Sequence, residues 1–116
     1  MAAQPFPSVK DPLETRVLTF DDTADLASGE TLTSILSTTI TAVRGTDPNP
    51  SAIITSAAIN TQAVTVGAIL IAVGMCVQAI CTGGLDGCWY EIRIQCATSN
   101  PDKIVTLKAI LQVSAS

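Results

Sequence analysis

Residues 88–113, CWYEIRIQCATSNPDKIVTLKAILQV, leave this chain little choice of fold, because two arms of strict alternation flank a turn. In the first arm Cys88, Tyr90, Ile92, Ile94 and Cys96 fall on one face and Trp89, Glu91, Arg93 and Gln95 on the other. That period of two is the mark of a half-buried strand. In the second arm Val105, Leu107, Ala109, Leu111 and Val113 alternate with Thr106, Lys108, Ile110 and Gln112. Between the arms Thr98, Ser99, Asn100, Pro101, Asp102 and Lys103 supply turn chemistry. Arms so patterned predict an antiparallel hairpin with one face on a core and one face outward.

The rest of the chain fits the same class. Apolar residues make up 47% and aromatic ones only 3%, so a core must be built from Val, Ile, Leu and Ala, and the β-branched ones suit pleated surfaces. With 116 residues the chain is the size of one domain. Residues 13–20, LETRVLTF, alternate and predict a first strand. Residues 31–43, TLTSILSTTITAV, predict a long or bent second one, and residues 51–58 a short third. Gly45, Asp47, Pro48, Asn49 and Pro50 interrupt regular structure between them. Residues 1–12 hold three of the six prolines and little that packs, which predicts an extended N-terminal arm ahead of a domain at 13–116.

Residues 62–81, QAVTVGAILIAVGMCVQAIC, admit two readings. An uncharged apolar run of this length is long enough to span a bilayer, and a small membrane-anchored protein spanning at 63–81 stands as one reading. The β-branched content, Gly67, Gly74, Gln78 and the lack of basic flanks favour two buried strands at 63–71 and 73–81. About seven strands then succeed one another at short intervals, the pattern of an all-β, immunoglobulin-like or Greek-key β-sandwich. In such a sandwich Tyr90, just after Gly87 and at the start of the penultimate strand, takes the place of a tyrosine corner, with its hydroxyl bonded to backbone near Leu85 or Asp86.

Residues able to carry chemistry are sparse. There is no histidine, the net charge is -4, and the six basic residues are scattered, which argues against a nucleic-acid partner. Cys76, Cys81, Cys88 and Cys96 follow no zinc spacing. They read as small buried hydrophobes, or as including a disulfide between neighbouring strands, Cys76 with Cys96. Asp21, Asp22 and Asp25 read as turn carboxylates or as calcium ligands outside the EF-hand spacing. Neither Cys81 nor Cys88 has a base to activate it. The expectation is a non-enzymatic chain with no cofactor, no metal and no membrane partner. Its candidate interface is the outer face carrying Trp89, Arg93, Lys108 and Ile110, since an aromatic beside an arginine is interface composition, unless a neighbouring loop covers Trp89. The start, MAAQPFPSVKDP, has neither the basic head nor the apolar core of a targeting signal.

Several stretches together resemble the phage fiber-tail adaptor family: KDPLE at 10–14, TFD at 19–21, GETLTS at 29–34, and CTGGLDGCWYEIRIQCATSNPDK at 81–103 followed by a closing strand. Residues 44–73 are much less similar, and Pro101, Asp102 and Lys103 stand where the family has arginine and aspartate. The resemblance implies a small immunoglobulin-like structural protein of a tailed bacteriophage, made in the host bacterial cytoplasm. It would reside in the virion as a symmetric homo-oligomer that joins tail, portal or neck, and fiber proteins. A capsid decoration (cement) protein is the alternative within the same biology. The family brings no catalytic or cofactor residue.

Overall fold

The alternation of residues 88–113 produces the strand pair at the centre of the fold. In this computed structural model, which describes residues 4–5 and 9–115, the strands in chain order are β1 (Gln4–Pro5), β2 (Thr15–Asp21), β3 (Leu32–Arg44), β4 (Ile54–Ile59), β5 (Val64–Val66), β6 (Ile69–Ile71), β7 (Cys76–Thr82), β8 (Trp89–Thr98) and β9 (Ile104–Gln112). Short 3-10 turns at Thr23–Asp25 and Pro50–Ile53 complete the regular structure. Four strands form one sheet in the order β1-β9-β8-β3, three form a second in the order β2-β7-β4, and β5 and β6 make a separate hairpin.

The two larger sheets face each other. Tyr90, Ile92, Ile94 and Cys96 from β8 and Val105, Leu107, Ala109 and Leu111 from β9 meet Leu18 and Phe20 from β2 and Val77, Ala79 and Cys81 from β7 in one buried cluster. At roughly 1.5–3 kcal/mol for each fully buried large aliphatic side chain, this cluster dominates the stability of the fold. The inward and outward sets read from 88–113 hold, with each outward residue of β8 and β9 at least partly open to solvent. At one side β3 runs beside β4, and both are the free edges of their sheets.

Several expectations need correction. The chain is all-β, but nine strands replace about seven among the described residues. The expected strand at 63–71 is cut in two because Gly67 takes φ +61, a left-handed conformation that glycine adopts without strain, and reverses the chain between β5 and β6. The expected strand at 73–81 starts only at Cys76, after a turn at residues 72–75. Residues 63–81 are thus strands and turns, and no helix among the described residues is long and apolar enough to cross a membrane. Cys76 and Cys96 form no disulfide: all four cysteines are free and buried. Cys76 lies on β7 and Cys96 on β8, which belong to different sheets and are not the neighbouring strands the pairing assumed.

Of the predicted arm at 1–12, residues 1–3 and 6–8 lie outside the described residues, as does residue 116 of the domain at 13–116. Gln4–Pro5 pairs in parallel with β9, Gln4 opposite Ala109 and Pro5 opposite Ile110. Lys10 bridges to Val113, its N–H donating to Gln112 and its carbonyl accepting from Ser114. Gln4–Pro5 and Lys10 therefore both lie against the end of the chain's last strand.

Candidate functional site: the outer face of the four-stranded sheet

The motif-bearing turns gather at the two ends of the sandwich and fix β8 and β9 between them. At one end the KDPLE segment folds back on itself, Asp11 Oδ1 accepting from the Leu13 N–H and Glu14 Oε1 from the Asp11 N–H, both at 2.8 Å. Its Lys10 is fully buried and donates to the Gly83 carbonyl at 2.6 Å and the Asp11 carbonyl at 2.8 Å. Buried charge of this kind is retained only when hydrogen bonds replace its water. Beside it the Leu85 N–H donates to Tyr90 Oη at 2.9 Å, and Tyr90 donates to Asp47 Oδ2 at 2.7 Å. Burial, and next the hydrogen bond to Asp47, push the Tyr90 hydroxyl well above its ordinary pKa, so it stays protonated.

At the other end GETLTS meets SNPDK. The Thr31 N–H donates to Ser99 Oγ, the Ser99 N–H donates to the Thr31 carbonyl, and Lys103 bonds Glu30 at 2.6 Å and the Asp25 carbonyl. The Lys103 ammonium, followed by the Ala27 N–H, holds the Glu30 carboxyl below its ordinary value. Under this clamp Asp22 is fully buried, with no hydrogen-bond partner for either carboxylate oxygen. Burial, followed by the nearby Asp25 carboxyl, raises its pKa to about 7. Asp21 instead caps Thr23 through its N–H and hydroxyl. Among the described residues no three acidic or cysteine side chains are placed to hold a metal ion, Asp21, Asp22 and Asp25 included. The thiols are equally withdrawn: burial raises Cys76, Cys81 and Cys96, the last to about 11, where Asp22 adds to it.

Between the two ends lies the face that the alternation points outward. Arg93 on β8 sits directly opposite Lys108 on β9 and, on its other side, Thr39 of β3. Ile110 lies opposite Glu91. Trp89, roughly 13 Å along β8 from Arg93 at the strand rise, is half-buried. Arg44 of β3 lies over its ring, with the guanidinium carbon 4.5 Å from the ring centroid. The structure therefore brings Trp89, Arg93, Lys108 and Ile110 onto one surface, with Ile110 next to the strand Gln4–Pro5.

Arg93 and Lys108 are like charges at the closest cross-strand position, an arrangement that costs stability by itself. Among the described residues neither has an ion-pair partner, and the shallow basin beside them is also lined by Lys103 and Asp25. Pattern reasoning did not identify Arg44 as the cation over the Trp89 ring, Lys10 as a buried tether, or Asp47 as the acceptor for Tyr90. Each acts across a separation in sequence that no local periodicity records. No protein-family model, no curated protein and no solved structure matches this chain.

Proposed function

We propose that this chain is a structural subunit of a tailed bacteriophage particle, an adaptor in the tail or neck region, which works by docking and carries out no reaction. The reading starts from the likeness of its turn motifs to fiber-tail adaptors. It is supported by the paired cations Arg93 and Lys108, left facing solvent on the sheet face that also carries Trp89, Glu91 and Ile110. A sheet that sets two cations opposite each other sacrifices some stability, and an acidic strip on a neighbouring protein would recover it on docking. The immunoglobulin-like character belongs to the same reading: two facing sheets and a tyrosine bonded to the preceding turn are the features that support it.

The partners are other virion proteins of the tail, portal or neck, and fiber. Antibody labelling of purified particles tests the assignment by electron microscopy. Label at the junction of tail and head or fiber is the expected result. Label over the capsid lattice makes this a decoration protein, and no label on particles ends the virion reading. On the docking face, Trp89→Ala combined with Ile110→Ser should reduce incorporation into particles at least tenfold, and unchanged incorporation removes this face from the contact.

A further inference from the structure

Two surfaces of this molecule are unfinished, and both draw on the stretch at 48–85, which contains no charged residue. The first is the β5–β6 hairpin. It pairs with itself, and only Ile71 is buried, while Ile69 and Leu70 at and beside its turn are 62% and 71% exposed and Val66 and Val73 are also open. Its base is held rigidly. Asn60 is buried, donates to the Gln62 and Ala72 carbonyls at 2.9 Å each, and accepts from the Met75 and Cys76 N–H groups. An apolar finger fixed at its root in this way is presented outward, and exposed aliphatic clusters on such elements mark contact sites.

The second surface is the seam where the free edges β3 and β4 run side by side. It leaves a groove of about 320 Å³ that reaches Ile35, Ile40 and Ile54 and is otherwise lined by Ala57 and the hydroxyl side chains at Thr38, Ser51, Thr55 and Ser56, uncharged throughout. Both strands present unpaired backbone groups along this seam, as edge strands do. Two other grooves carry charge, one lined by Asp11, Glu14 and Arg16 and another by Asp25, Arg93, Lys103 and Lys108.

We infer that the occupant of the seam is a second copy of this chain, which inserts the tip of its β5–β6 hairpin between β3 and β4. The charge distribution selects this partner. Copies of a chain with net charge -4 repel through their ionic surfaces, so contact between them falls to surfaces free of charge, and the finger and the groove are such a pair. The hairpin supplies Ile69 and Leu70 to Ile35, Ile40 and Ile54 in the groove, and its backbone meets the unpaired edges and the Ser and Thr hydroxyls of the lining. Finger and groove are different patches of one molecule, so each copy gives one and receives one, and the contact is head-to-tail: it closes into a ring or runs on as a filament. This deepens the proposed function, resting on the reading of the chain as an assembly subunit.

Complementation between two variants tests it. Leu70→Asp spoils the finger and keeps the groove; Thr38→Lys, at an exposed position on the rim, spoils the groove and keeps the finger. By sedimentation velocity the wild-type chain should form species larger than dimers as concentration rises. Each variant alone, folded by circular dichroism, should associate at least tenfold more weakly, and an equimolar mixture should form a one-to-one complex that grows no further. A wild-type chain that stays monomeric at millimolar concentration overturns the inference, as does a mixture that fails to pair or a Leu70→Asp chain that assembles normally. If particles carry the protein at the tail while the pure chain is monomeric, the contact alone is wrong. If the chain assembles through the finger yet is absent from particles, the virion reading alone is wrong.

Discussion

Replacing Asp22 with asparagine should make this protein more stable, and increasingly so as pH rises. Asp22 is sealed under the Glu30–Lys103 clamp with both carboxylate oxygens unpartnered, and its pKa in the folded chain is about 7 against 3.8 for the ordinary side chain. The folded state therefore holds the proton more tightly than the unfolded one. The stability this confers is complete below about pH 4 and is lost as pH climbs through 7. At 1.36 kcal/mol per pKa unit the loss is about 2 kcal/mol by pH 5 and about 4 kcal/mol by pH 8. The amide of Asp22→Asn would keep the shape and the unmet hydrogen bonds but never ionise, so the advantage of this variant over the wild type should widen by about 2–3 kcal/mol between pH 5 and pH 8. Urea unfolding of both proteins at the two pH values measures this directly, and at roughly 4–8 °C per kcal/mol the change is also visible in thermal melts. Asp21, Asp25, Lys103 and the Cys96 thiol surround the site and are common to both proteins. Stability curves that run parallel from pH 5 to pH 8 would refute the reasoning, because they would mean that Asp22 ionises in the folded chain as freely as in water.

Asn60→Ala removes four hydrogen bonds at the root of the β5–β6 hairpin and should cost about 2–4 kcal/mol in urea unfolding, with amide exchange at Met75 and Cys76 accelerated. Tyr90→Phe leaves the packing intact but orphans the Leu85 N–H and the Asp47 carboxylate, for a loss of about 1–2 kcal/mol on the same assay. Lys108→Glu converts the like-charge pair with Arg93 into an opposite-charge one. It should raise the stability of the isolated chain by about 0.2–1 kcal/mol while lowering incorporation into particles, a divergence that a purely structural role for Lys108 would not produce.

The hairpin at 88–113 was legible because alternation is a local property: a strand with one buried face must repeat every two residues, and the inward set from Tyr90 to Leu111 is buried as the pattern requires. The all-β class followed from the same logic. Residues 63–81 were legible only as uncharged and apolar. Their division into a projecting hairpin and an inner strand depends on Gly67 taking a left-handed turn and on Asn60 bridging four backbone groups, both of which need neighbours already in place. The outward placement of Trp89, Arg93, Lys108 and Ile110 also came from periodicity, whereas the contact of Arg44 with the Trp89 ring joins a residue far back in the chain on a neighbouring strand.

Sequence by itself determined which residues alternate, where the chain turns, and that the core is aliphatic, because those depend on side-chain type and spacing alone. Tertiary structure decided which sheet each strand joins, that the four thiols stay apart and buried, that Lys10 and Asp22 lose all contact with water, and that an apolar finger and an uncharged seam are left open on the same molecule. Burial and long-range pairing arise only when distant segments meet, and no local pattern records who meets whom.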